Sequence, residues 1–292
     1  MPTSIEIGNS IKGGTGSFSA AFIPEDGPAP FTLVVNVADP IIGATTGVGV
    51  FRLPLVNPAV LPTSSYNFEV DWGDGTTDTI TSYNQAEATH TYSTPYSSEY
   101  TIKITGTCVN IGFSYQALAL LDSRKLRDIT FWGGGQNLEL NGAIGGLAAL
   151  LTGSGSVGLI PTAFSATDSC KIVGNASAIF TNSSGVTKGT SNWDMSACTN
   201  IQGLFTNAVN WNEDVSGWDV SNVINATSAF NNTSFSQVNY DKLLISWAAQ
   251  SVQSNVIFGA SSTQYTAGGA AEAARNTLIN TYNWTIIDGG PN

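Results

Sequence analysis

His90 is the only histidine in the chain, so a Ser-His-Asp relay would have to run through it. It sits in the run Thr89-His90-Thr91-Tyr92, where a ring nitrogen bonded to the backbone of a strand is the simpler role. A zinc site needs more ligands than one histidine and the dispersed Cys108, Cys170 and Cys198 supply. Those cysteines show no CxxC spacing and read as small buried hydrophobes. Asp71, Asp74 and Asp78 cluster around Gly73-Asp74-Gly75. Hard cations take several oxygens, which makes these acids the chain's calcium candidate. The competing reading is a turn at Asp74-Gly75 with Asp71 accepting from nearby backbone N–H groups. No other cofactor is expected, because Gly133-Gly134-Gly135 lacks the Lys-Ser/Thr of a phosphate loop.

A second set of acids, Asp194, Asp214 and Asp219, could offer the paired carboxylates of a glycosidase. Their spacing argues otherwise. Phe180-Thr181-Asn182, Phe205-Thr206-Asn207 and Phe230-Asn231-Asn232 recur every 25 residues, and Trp193-Asp194-Met195-Ser196 returns as Trp218-Asp219-Val220-Ser221 in the same step. Asp194 and Asp219 are thus one repeat position, expected to make a turn while its tryptophan fills the space between coils. A fixed period of this size means one supersecondary unit stacked on copies of itself, since a single copy cannot bury its apolar face alone. Trp211 breaks the pattern, with Val186 one repeat earlier and Ser236 one repeat later. It is therefore the expected exposed aromatic, and with Asn212 it forms the ligand-binding candidate. An aromatic platform flanked by amides suits a sugar.

Around these residues the elements are legible. Phe31-Thr32-Leu33-Val34-Val35-Asn36-Val37 and Val48-Gly49-Val50-Phe51-Arg52-Leu53 are β-rich runs, and Tyr66 to Trp72 alternates apolar and polar. Asp74-Gly75 marks a hairpin, Thr76 to Thr81 returns, and Tyr100 to Thr105 alternates again. Many short strands at even spacing indicate a sandwich. Near the C-terminus Tyr240, Leu243, Leu244, Trp247, Ala248 and Val252 fall at helical spacing, as do Ala271, Ala274, Arg275, Leu278 and Tyr282. Two amphipathic helices and Trp284-Thr285-Ile286-Ile287 are expected to close the open end of the stack.

Val70-Asp71-Trp72-Gly73-Asp74-Gly75-Thr76, His90-Thr91-Tyr92 and Tyr100-Thr101-Ile102-Lys103-Ile104 together resemble the signature of PKD-type immunoglobulin-like domains. The string from Trp211-Asn212-Glu213-Asp214 to Trp218-Asp219-Val220-Ser221-Asn222-Val223 resembles the BspA-like leucine-rich repeat of bacterial surface proteins. Leu159-Ile160-Pro161-Thr162-Ala163-Phe164 reads as a degenerate earlier copy. The expected fold is mainly β: an Ig/PKD-like sandwich, then a short-coil leucine-rich-repeat solenoid with a C-terminal helical cap. The segments are 1–50 as an extra N-terminal attachment part, 51–121 as the sandwich, 122–239 as the solenoid and 240–292 as the cap.

Composition bounds the partners. Charged residues make up 11% of the chain, against roughly a quarter in ordinary soluble domains. The net charge is −11 with ten Lys and Arg and no basic cluster, so nucleic acid and anionic membrane surfaces are not expected partners. The chain has no run of about eighteen apolar residues, the length that spans a bilayer. The expected function is a non-enzymatic, surface-exposed structural binding protein. Met1-Pro2-Thr3-Ser4-Ile5-Glu6-Ile7 has no basic or apolar leader and no lipid-attachment cysteine. A chain starting there would reach a surface by assembly inside the producing cell, as a bacteriophage virion protein does. The expectation is therefore a capsid-decoration or tail-fibre-like component on the virion surface, docked to other virion proteins by its N-terminal segment. Its repeats would face a host glycan or protein, and self-association is left open. A bacterial cell-surface adhesin is the alternative, and a polysaccharide-active enzyme the remote one.

Overall fold

Period-two alternation in Ser65–Asp71 becomes a strand whose burial alternates in the same phase, with Tyr66, Phe68 and Val70 inward. The computed structural model describes residues 30–38, 46–59, 62–109, 111, 125–133, 138–140 (backbone only), 165–182 and 184–292. In chain order the elements are β1 (Phe31–Val35), β2 (Val50–Arg52), β3 (Ser65–Asp71), β4 (Thr77–Ile80), β5 (Thr89–Thr91) and β6 (Tyr100–Val109). There follow β7 (Leu126–Phe131), β8 (Leu138–Leu140), β9 (Lys171–Asn175) and β10 (Asp194–Asn200). Helix α1 (Gln237–Ala248), β11 (Ile257–Ala260), α2 (Ala270–Tyr282) and β12 (Thr285–Asp288) complete the chain. The fold is mainly β.

β6 is the strand on which the molecule turns. Its first half pairs antiparallel with β1 (Phe31 opposite Ile104, Val35 opposite Tyr100), and one edge runs along β3. Its last residues, Cys108 and Val109, pair in parallel with Leu138 and Glu139 of β8. From there β8, β9 and β10 continue in parallel. The changeover falls at Gly106, whose φ of 122° brings the backbone onto β3. A Cβ there would lie 2.6 Å from the Asn67 carbonyl oxygen, so only glycine fits without a shift. β2 and β5 form a second, two-stranded antiparallel sheet.

Two expectations about boundaries change. The segment 1–50 is not separate at its end, because β1 lies between β6 and β7 in the main sheet. β7, expected within the repeats, belongs to the same antiparallel group. The expected early copy at 159–164 lies outside the described residues.

The 25-residue period is a backbone ladder. Ala176, Ala178, Phe180 and Asn182 donate their N–H groups to the carbonyls of Asn200, Gln202, Leu204 and Thr206. One repeat later Ile201, Gly203, Phe205 and Asn207 donate to Asn225, Thr227, Ala229 and Asn231. Successive coils are therefore in fixed register. Phe180, Phe205 and Phe230 consequently stack in one buried column, with ring centroids 5.2 and 5.8 Å apart. Trp193 and Trp218 stack beside it at 6.4 Å.

The C-terminal segment does not simply close this stack. Ala226 donates to Ile257 and Phe230 to Gly259, so β11 joins the ladder, and β12 pairs with β11 in parallel. Each helix precedes a strand and lengthens its coil, and the step between β11 and β12 becomes 28 residues (Ile257 opposite Thr285). α1 starts at Ser236, whose hydroxyl accepts from the Asn239 N–H. α2 ends at Asn283, which takes the left-handed conformation.

Removing a ring from the middle of the column leaves a cavity between two fixed neighbours. Phe205→Ala is expected to lower unfolding free energy by about 3–5 kcal/mol, measured by chemical denaturation.

Candidate interaction surface

Trp211 is fully buried, which corrects its expected exposure. Its ring lies 4.0 Å from Phe205 and 5.3 Å from Phe230 between centroids, with Phe235 on its flank. Being aperiodic, it fills a gap beside the column rather than standing outside it. Its indole Nε1 donates to the Thr190 hydroxyl at 3.0 Å. Thr190 is itself fully buried and serves as a polar node. Its carbonyl accepts from Trp218 Nε1, and its N–H and hydroxyl both donate to the Glu213 carboxylate. Next to it the Gly189 carbonyl accepts from Trp132 Nε1, just past β7. The node thus ties two coils to the antiparallel part. A buried indole N–H usually finds an acceptor, and this one pair of residues serves three of them. Asn212 is exposed, but its side-chain oxygen accepts from Ser236 N–H and Asn239 Nδ2 at the start of α1. The pair expected to bind a sugar instead builds the stack.

The repeat acids resolve in the same way. Asp194, Asp214 and Asp219 each accept from the backbone N–H two residues on, at Ser196, Ser216 and Ser221. At Asp194 and Asp219 these are the expected turns, and Asp214 makes a third of the same kind. The Lys242 ammonium beside Asp214, at 2.8 Å, holds that carboxyl below the usual carboxylate range. Hydrogen bonds from Ser221 do the same for Asp219.

Asparagine carries a role that the sequence reading missed. Asn182, Asn207 and Asn232 all have positive φ, where asparagine is better tolerated than most residues. Their amides form a ladder: Asn232 Nδ2 donates to Asn207 Oδ1, and Asn207 Nδ2 to Asn182 Oδ1. Asn175, Asn200 and Asn225 form a second column, each accepting from the N–H two residues on. Asn192, Asn210 and Asn222 donate across coils to the carbonyls of Thr167, Ser184 and Ser196. The repeated Phe-x-Asn triplet was the available signal. Much of the amide surplus therefore holds coils together.

In the antiparallel part, the His90 ring is stacked 4.7 Å from Trp72 and meets Tyr92 edge-on. Its Nε2 lies 2.8 Å from Asp74 Oδ2, so its partner is a side-chain carboxylate rather than the expected backbone. Burial pushes the Asp74 carboxyl up, but hydrogen bonds from Thr76 and His90 outweigh it and leave it lowered. Asp71 accepts from Gly73 N–H and Asp78 from Trp72 Nε1. The calcium candidates are thus engaged by separate donors, and the described residues hold no group of three or more acidic, histidine or cysteine side chains placed for a metal. Burial pushes the thiols of Cys108 and Cys198 up to about 12 and about 11.

Exposed apolar side chains collect toward the C-terminus. Val238 and Ile245 lie seven residues apart on one face of α1, with Asp241 and Lys242 between them. Ile224, Ile257 and Ile287 are exposed on the strand side. The two cations of this part are both paired, Lys242 to Asp214 and Arg275 to Asp288. No helix among the described residues is long and apolar enough to cross a membrane.

Residues 167–266 match a family model described as a Mycoplasma protein of unknown function, DUF285. No curated protein and no solved structure matches the chain. The matched stretch runs past the last phenylalanine of the column through α1 and β11, so it includes the first lengthened coil.

Two outcomes follow from this chemistry. Thr190→Val keeps the carbonyl but removes the acceptor of Trp211 and a donor to Glu213. It should cost about 1–3 kcal/mol, the usual range for a buried group left unpaired, read from denaturant melts. Asp74, Asp214 and Asp219 have folded pKa values below their unfolded ones. Their stabilisation is complete above the usual carboxylate range and is lost as pH falls through the folded values. Melting temperature should therefore fall on acidification below that range, and Asp214→Asn with Asp219→Asn should shallow the fall.

Proposed function

We propose that the chain is a non-enzymatic structural protein that displays a rigid repeat surface, on a bacteriophage virion as a capsid-decoration or tail-fibre-like component. The antiparallel strands β1 to β7 are read as an Ig/PKD-like sandwich. The 25-residue coils are read as a BspA-like leucine-rich-repeat solenoid that ends in the helix-strand coils. The observation that carries the reading is where the polar side chains go. Aspartate, asparagine and threonine of the repeats bond to their own turn or to the next coil, and the one histidine is packed against Trp72 and Asp74. Such an interior supports a stiff projecting body, and its outer face contacts a host glycan or protein.

Because β1 is part of the sheet, attachment to other virion proteins is assigned to the residues before Pro30. The bacterial-surface reading has one specific support, the family match, whose description names Mycoplasma proteins. Density-gradient particles and the envelope fraction of the producing cell, probed with one antibody against the repeats, separate the two. The proposal expects the signal on particles and its loss when residues 1–29 are deleted. A signal confined to the cell envelope would overturn the virion assignment in favour of the adhesin.

A further inference from the structure

β12 is the outermost strand of the parallel ladder among the described residues, and its outer edge has no partner among them. Thr285 donates its N–H back to Val256, and Gly289 donates back to Thr263. In a parallel strand successive residues point opposite ways. The backbone N–H and C=O groups of Ile286 and Asp288 therefore face outward along this edge. Thr285-Ile286-Ile287-Asp288 holds neither lysine nor proline, the residues that most often block pairing at an edge. Its one acid is turned inward: the Asp288 carboxylate is 3% exposed and takes Arg275 and Tyr240 as donors. The Arg275 guanidinium in turn lies 5.1 Å from the Tyr265 ring centroid. A chain with a net charge of −11 thus keeps the charge of this strand internal. Ile287, between the two outward-facing residues, is 53% exposed.

We infer that this edge is a self-association site at which β12 pairs antiparallel with β12 of a second copy, about a two-fold axis at Ile287. The edge is self-complementary in that arrangement. Ile286 of one copy faces Asp288 of the other and the reverse, so the outward N–H and C=O groups satisfy one another. The two Ile287 residues then oppose each other as a non-hydrogen-bonded pair, with Cα atoms about 4.5 Å apart and side chains close. The contact is isologous and closes at two copies. It joins the two repeat stacks end to end and leaves the antiparallel parts at the far ends. Because both copies are acidic, salt that screens their repulsion favours the pair.

Sedimentation velocity over a concentration series of the full chain tests this. Wild-type protein should pass from monomer to dimer as concentration rises, at lower concentration in higher salt. Ile287→Lys places two ammonium groups at the axis and should remain monomeric throughout, with an unchanged circular dichroism spectrum. Ile287→Cys should form a covalent dimer on mild oxidation, since the expected Cα separation lies within the roughly 4.4–6.8 Å that a disulfide spans. The native cysteines are buried, so wild-type protein should not cross-link. A wild type that stays monomeric at every concentration overturns the proposal. So does a dimer that Ile287→Lys leaves intact, or one in which Ile287→Cys fails to cross-link, and the cross-link decides the matter should the lysine variant misfold.

Discussion

Everything in the second half of this chain depends on the parallel backbone bonds that run from each coil to the next. Four N–H groups per repeat donate to carbonyls one coil on, at the same positions in each repeat. Once that register is set, a phenylalanine in one coil has a phenylalanine above it and below it, and an asparagine at a left-handed corner meets its own repeat. Side-chain ladders of identical residues follow from the backbone. Neither ladder would form if the coils slipped by one residue, because the inward positions would turn outward.

The same constraint explains how the two halves become one body. β6 lends its first residues to an antiparallel sheet and its last two to the parallel stack, so no edge separates them. An aromatic chain crosses the same junction: Phe31 stacks on Trp132, Trp132 meets Trp193 edge-on, and Trp193 stacks on Trp218. At this point Gly189 and Thr190 give Trp132, Trp211 and Trp218 their acceptors, while Trp193 Nε1 is buried without one. A stiff connection of this kind suits a protein that is anchored by one end and displays the other, as the proposed function requires. It also makes β12 matter, because the outermost described strand of such a ladder presents an edge that can accept one more.

The sequence exposed the parts of this plan that repeat and concealed the parts that do not. The phenylalanine column and the Trp-Asp-x-Ser turns were readable, because period 25 allows no other economical meaning. The strands β1, β3 and β6 were readable from alternation. Trp211 is the exception, since lack of a periodic counterpart predicts exposure and the structure buries it. A large ring can instead occupy a one-off gap between Phe205 and Phe235 if a buried hydroxyl receives its N–H. The continuation of the ladder through β11 and β12 was hidden by the inserted helices, which lengthen the coil and break the period while preserving the pairing. The partner of His90 was not legible because Asp74 lies sixteen residues away, across the hairpin. The proposed attachment and receptor roles leave no trace in periodicity at all.

The central claim is that the coils share one hydrogen-bonded register, and native-state hydrogen exchange reads it directly. The amides of Ala176, Ala178, Phe180 and Asn182 and those of Ile201, Gly203, Phe205 and Asn207 should exchange only through large-scale unfolding, with matching protection across the two coils. Intervening exposed amides such as those of Asn210 and Asn212 should exchange far faster. Fast exchange at the first two sets, or strong protection in one coil and none in the next, would contradict the ladder and the account built on it.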